Sequence, residues 1–156
     1  LNYAYFDLMK ITLKCLFTFE KQINIKKIDI LGLDNESIMV YADYDLIYQV
    51  IYNLIENAIK FVDEKGYIKF SMASKENIIR FSIKNSGQGI KQKEFKLIFE
   101  KFYKADKSRS LDSSGLGLGL YLTNSIINMH NGTIKVDSIE GLFTEFVFTI
   151  RANNNN

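Results

Sequence analysis

Apolar positions along the chain recur at two spacings, three-to-four and two, and the switches between them predict the elements. From about Phe6 to Glu20, the residues Leu8, Ile11, Cys15 and Phe19 fall on one helical stripe, so an amphipathic helix with Cys15 on its buried face is expected. Ile28–Leu31 and Ile38–Tyr41 flank the turn-like Asp34-Asn35-Glu36-Ser37 and predict a strand pair. Asp45 is the expected N-cap of a long helix through Phe61 and Val62, followed by Gly66 as its stop. The apolar side of that helix is Leu46, Ile47, Val50, Ile51, Leu54, Ile55, Ala58 and Ile59. Period two then takes over, in Ile68, Phe70 and Met72 and again in Ile79, Phe81 and Ile83, with a hairpin turn within Ser74 to Asn77. Phe95, Ile98, Phe99 and Phe102 predict a short helix ahead of a polar loop from Lys104 to Ser114. Gly115 to Gly119 opens a further helix with the stripe Leu122, Ile126 and Met129, ended by Asn131-Gly132. Ile134/Val136 and Phe146/Phe148/Ile150 predict two last strands around Glu140-Gly141.

Strand pairs this close in sequence leave no room for βαβ crossovers. The fold class expected is therefore α+β, a two-layer α/β sandwich with helices on one face of a mostly antiparallel sheet. One domain over residues 1–152 is expected, with a tail over 153–156. Of the 156 residues 47% are hydrophobic and 24% charged, values that exclude a disordered chain apart from its ends. The lone Cys15 excludes an internal disulfide and suggests a reducing compartment, and the lone His130 leaves no His/Cys cluster for zinc. The 20 Lys and Arg against 18 Asp and Glu give +2, too balanced for a nucleic-acid or anionic-membrane footprint. No apolar run approaches the about 20 residues of a transmembrane helix. The opening Leu1-Asn2-Tyr3 has no initiator Met or signal segment, so a piece of a longer protein is expected, with any anchor or sensor elsewhere.

Chemistry gathers at three places. On the long helix, Asn53, Asn57 and Lys60 sit at i, i+4 and i+7, one stripe opposite the apolar side. Asn is a poor helix-interior residue, so two in register invite a reason other than propensity. A carboxamide oxygen suits a Mg²⁺ held mainly through nucleotide phosphates, and a lysine adds a point charge for the same phosphates, while a solvated polar face explains the stripe equally simply. Asn85-Ser86-Gly87-Gln88-Gly89-Ile90 closes a strand, and Gly115-Leu116-Gly117-Leu118-Gly119-Leu120 opens a helix, where free N–H groups attract phosphate. Neither motif has the Gly-Lys-Ser/Thr of a P-loop or the setting of a dinucleotide-binding unit, and no His-Arg-Asp or Asp-Phe-Gly is present.

Taken in order, Asn53-x-x-x-Asn57-Ala-x-Lys60-Phe61, the Asn85 motif, Ile98-Phe-Glu-Lys-Phe-Tyr-Lys104, the Gly115 motif and His130-Asn131-Gly132 closely resemble the N, G1, F and G2 boxes of the sensor histidine kinase ATP-binding domain. The resemblance runs from about Phe6 to Ile150. It implies a Bergerat-type sandwich, shared with gyrase, heat-shock chaperone and mismatch-repair ATPases, with ATP between helices and a mobile lid. It implies Asn57 as the Mg²⁺ residue, Asn53 and Lys60 beside metal and phosphates, and Phe61 beside the adenine. Asn85, Gly87, Gly89 and Ile90 belong to the adenine end, Tyr103 and Lys104 to the nucleotide side of the loop, and Gly115, Leu116, Gly117, Leu118 and Gly119 to the lid. Thr144 is a candidate nucleotide-binding residue with no particular role assigned.

Two departures stand out. Asn85 replaces the family's usual Asp, substituting a neutral acceptor and donor for a charge-assisted acceptor, which implies weaker ATP binding. Gly141-Leu142-Phe143-Thr144 replaces the family's Gly-x-Gly-Thr. The hydrolysing relatives carry Glu at the position of Asn53, so phosphoryl transfer with little ATP hydrolysis is expected. The implied cofactors are ATP and Mg²⁺. The implied partner is the histidine-bearing dimerisation domain of the same kinase, and indirectly a response regulator, with no nucleic acid and no direct membrane contact. The implied location is the cytoplasmic portion of a membrane-anchored bacterial sensor kinase. A degenerate nucleotide-binding or docking module without kinase activity is the alternative, supported by Asn85 and Phe143.

Overall fold

The computed structural model describes residues 1–34, 36–104 and 118–153. The elements are β1 (Tyr3–Asp7), α1 (Leu8–Thr18), α2 (Glu20–Lys26), β2 (Asp29–Leu31), β3 (Met39–Asp43), α3 (Tyr44–Phe61), β4 (Tyr67–Lys75), β5 (Ile78–Ser86), a 3₁₀ turn (Gln92–Glu94), α4 (Gly119–Met129), β6 (Thr133–Ile139) and β7 (Phe143–Arg151). A five-stranded mixed sheet has the order β2-β4-β5-β7-β6, and β1 and β3 form a separate antiparallel pair. Only β2 and β4 run parallel in the main sheet.

Alternation along the strands explains the layering. Ile68 and Phe70 on β4, Ile79, Phe81 and Ile83 on β5, and Phe146, Phe148 and Ile150 on β7 turn to one face and are buried. Phe81 stacks on Phe148 with centroids 4.9 Å apart and meets Phe70 edge-on at 6.1 Å. Over that face lies α3, whose Ile47, Val50, Ile51, Leu54, Ile55, Ala58 and Ile59 are buried as its periodicity requires. One hydrophobic cluster takes in residues from Leu8 to Ala152. Cys15 is inside it, fully covered, with burial pushing its thiol up to about 11. Between β4 and β5, Glu76 and Asn77 both have positive φ (53° and 63°), the backbone of a two-residue hairpin turn.

Several expectations need correction. The strands at 29–31 and 39–43 exist but do not pair: β2 adds to β4, and β3 takes β1. Gly32 (φ 85°) lies so close to the Phe70 carbonyl that no side chain fits, and there the chain leaves the main sheet before it can form a hairpin. Phe6 is in β1, and the first helix starts at Leu8 behind Asp7, whose carboxylate accepts from the Met9 N–H (3.0 Å). The cap of α3 is Asp43, and Asp45 lies in its first turn. Residues 95–102 form successive turns, with bonds such as Leu97 N to Glu94 O (2.9 Å) and Ile98 N to Glu94 O (3.1 Å), in a stretch too short to hold a helix by itself. Phe102 is 64% exposed, so of the two F-box phenylalanines only Phe99 packs inward, edge-on to Phe146. On α4 the buried stripe is Thr123, Ile126 and Ile127, while Leu122 and Met129 face out. Asn131 (φ 55°), before Gly132, is its left-handed stop.

Candidate functional site

The outer stripe of α3 follows from the burial of its other side: with seven apolar residues turned to the sheet, Asn53, Asn57 and Lys60 are left half-buried on the opposite edge. Glu56 is fully out in solvent. The start of α4 comes to this stripe. Asn53 Nδ2 donates to Gly119 O at 3.5 Å, and Thr123 Oγ1 donates to the same carbonyl at 2.9 Å. Leu118, at the N-cap position of α4, provides no side-chain cap. Around Gly119 no described atom lies within 4 Å of where a Cβ would project, and Leu118 before it is half-buried. Through Asn53 the amide stripe is thus in contact with the start of α4. Gly115, Leu116 and Gly117 lie outside the described residues.

At the far end of α3, the last helical residue, Phe61, meets the strand motif. Val62 forms a bridge with Gly87, and a Cβ on Gly87 (φ 144°) would lie 2.5 Å from Phe61 O, so only glycine admits this approach. The Lys60 ammonium lies 5.4 Å from the Phe61 ring centroid. Asn85 is 2% exposed, and its Nδ2 donates to Ser86 O (3.0 Å), so Oδ1 remains as the acceptor. Directly across the ladder stands Thr144, also buried. The loop after β5 is fastened to the β6–β7 turn: Gly141 N donates to Gln88 O (2.7 Å), and Ile90 N donates to Ser138 Oγ (2.8 Å). A Cβ on Gly89 (φ 72°) would meet Ile139 O at 2.7 Å.

Tyr103 and Lys104 are half-buried, and Tyr103 OH donates to the buried Glu94 carboxylate at 2.7 Å. The structure therefore brings Asn53 to the start of α4, and Phe61 to Gly87, with Asn85 and Thr144 side by side. His130 is a fold residue: Asp43 N donates to its Nε2 (3.1 Å), which puts the ring hydrogen on Nδ1, 2.8 Å from Ile126 O. Among the described residues no group of three His, Cys, Asp or Glu side chains could hold a metal. Sequence reasoning missed Ser138, whose hydroxyl accepts from Ile90 and donates to Phe143 O (2.6 Å), and Lys26, whose ammonium sits on the C-terminal carbonyls of α3. Neither carries a local sequence signal, because both act through partners distant in the chain. Burial lowers the Lys26 pKa, with the Asp63 charge opposing.

The order of the elements, and the amide stripe of α3 beside the start of α4, agree with one class of protein. The chain belongs to the family of histidine kinase-, DNA gyrase B- and HSP90-like ATPases, matched over residues 42–154. It is 37% identical over 121 residues to the sensor histidine kinase WalK of Bacillus subtilis, an overlap of 76% of this chain and 20% of WalK. With the sensor histidine kinase YclK of the same organism it shares 35% over 117 residues, 74% of this chain and 24% of YclK. It thus spans a fifth to a quarter of the length of these two kinases. The catalytic domain of histidine kinase ThkA has the same fold, with a TM-score of 0.85 at 30% identity over 97% of both chains. ThkA also aligns when in complex with the response regulator protein TrrA, at a TM-score of 0.80 over 97% of this chain and 42% of that one. This is the ATP-binding catalytic type of domain found in sensor histidine kinases. No helix among the described residues is long and apolar enough to cross a membrane.

Proposed function

We propose that residues 1–152 act as one catalytic domain that binds ATP with Mg²⁺ between α3 and α4 and presents the γ-phosphoryl to a histidine on a helical dimerisation domain of the same kinase. The single observation that carries this is the contact of Asn53, on the stripe it shares with Asn57 and Lys60, with Gly119 O at the start of α4. The donor chemistry fits the metal. Carboxamide oxygens are hard, neutral ligands, insufficient alone but suited to an ion whose other ligands are phosphate and water. Asn57 would hold it, with Asn53 beside it. When bound, Mg²⁺ neutralises charge on the β- and γ-phosphates.

This chain's own groups do the rest. Lys60 and Lys104 add positive charge, and the N–H groups of 118–119, with the lid glycines 115 and 117, cradle phosphate oxygens. Phe61 flanks the base, Asn85 Oδ1 accepts from its amino group, Thr144 supports that contact, and Gly87, Gly89 and Ile90 shape the turn around it. Tyr103 lines the loop side. Asn53 offers no carboxylate to take a proton from water, which supports transfer over hydrolysis. The product histidine would pass its phosphoryl to a response regulator, in the cytoplasm. Calorimetric titration of the chain with a non-hydrolysable ATP analogue tests the reading. Binding enhanced by Mg²⁺ and weakened about tenfold or more in Asn57→Ala is expected, the loss of about 1.4 kcal/mol. No heat at millimolar analogue would overturn it.

A further inference from the structure

We infer that Lys26, which lies outside every nucleotide motif, is a positioning residue that sets the adenine end of the site. This rests on the nucleotide reading above and adds a residue to it. Lys26 is the last residue of α2. Its Nζ donates to Ile59 O at 2.7 Å and to Lys60 O and Val62 O at 3.3 Å each. The first two are among the terminal carbonyls that α3 itself leaves unpaired, and a cation is the complement such a helix end favours. The backbone reinforces the grip, since Lys65 N donates to Lys26 O (2.8 Å) and Asp29 N to Gly66 O (2.9 Å).

From there polar contacts continue to the strand motif. Asp63, the residue after the α3 cap, accepts from Ser86 Oγ (2.6 Å), and the same hydroxyl accepts from Tyr67 N (2.9 Å). Ser86 O in turn takes the Asn85 amide (3.0 Å). Gly66 has no room for a side chain because the Asp63–Ser86 pair occupies it. The ammonium is thus at one end of a line that finishes at Asn85, with Phe61 and Gly87 packed along its length. What it fixes is the direction in which Phe61 leaves the helix and its spacing from the Asn85–Gly87 turn. A methionine at 26 keeps the apolar stem and loses the three bonds.

The test is calorimetric titration of the whole chain with a non-hydrolysable Mg²⁺–ATP analogue, alongside thermal unfolding of each variant. Lys26→Met is expected to weaken binding about tenfold and Lys26→Arg to recover most of that loss, as the charge returns. Phe61→Leu, costly in the native background, should cost little on top of Lys26→Met, because a ring already misplaced has little left to lose. A Lys26→Met protein that binds within about twofold of the native chain while melting earlier assigns Lys26 to the fold alone and overturns the inference, as do losses that simply multiply. Should Lys26→Met fail to fold, Asp63→Ala removes the acceptor of the Ser86 hydroxyl and breaks the same line at a solvent-exposed residue, and unchanged affinity there also overturns it. A native chain that takes up no nucleotide defeats the ATP reading itself; native binding with unaffected variants defeats only the role of Lys26.

Discussion

Replacing Asp43 by alanine should cost more than any other single surface-proximal change, because one carboxylate serves two elements. Oδ1 accepts from Leu46 N (3.2 Å) as the cap of α3, and Oδ2 accepts from Asn2 N (2.8 Å), holding the strand β1. Loss of an N-cap costs about 1 kcal/mol. A hydrogen bond to a charged acceptor is worth about 1.5–3 kcal/mol. Together they give about 2.5–4 kcal/mol, read as a lowering of the urea-unfolding free energy at pH 7 or of Tm by about 5–15 °C. The Asn2 N–H is the largest influence holding this carboxyl below its ordinary value, with the Leu46 N–H and His130 reinforcing it and burial opposing. A depressed folded pKa means stability fully present above the unfolded pKa and lost as pH falls through the folded one. The gap between native and Asp43→Asn should therefore close on acidification from pH 7 to below about 4. A cost under about 0.5 kcal/mol, or a gap that does not change with pH, would refute the reasoning.

Two more outcomes follow from the core and the hairpin. Phe148→Ala, removing a fully buried ring stacked on Phe81, should cost about 3–5 kcal/mol in denaturant titration. Glu76→Gly, at an exposed turn position with φ 53°, should instead raise stability by about 0.4–1 kcal/mol, visible as a higher urea midpoint with unchanged slope.

How much of this could be read from the chain depended on how local each signal was. The stripe of α3 and the alternation of β4, β5 and β7 are short-range patterns dictated by burial on one side, and both are where the periodicity puts them. The motif at Asn53–Phe61 stood out because asparagine has no reason of its own to repeat along a helix. The partner of β2 was not legible. Nothing in Asp29-Ile30-Leu31 distinguishes a parallel edge strand from half of a hairpin, and the residue that decides, Gly32, does so by approaching Phe70. Likewise the cap moved from Asp45 to Asp43 because Asp43 is held by Asn2 and His130, neither adjacent in sequence. Lys26 and Ser138 were missed for the same cause.

The strand order has a consequence for synthesis. Ser86, which ends β5, and Phe143, which opens β7, are ladder partners, so everything from residue 87 to 142 is an excursion that departs from and returns to one point. β7 stands between β5 and β6, and among the described strands β6 pairs with β7 alone. A ribosome delivering this chain therefore releases the first four strands of the main sheet before the one that joins them all, and until β7 emerges both β5 and β6 carry open edges. Outside α4 and β6, the chain between these two partners can vary in length at small entropic cost, since closure grows only with the logarithm of loop size.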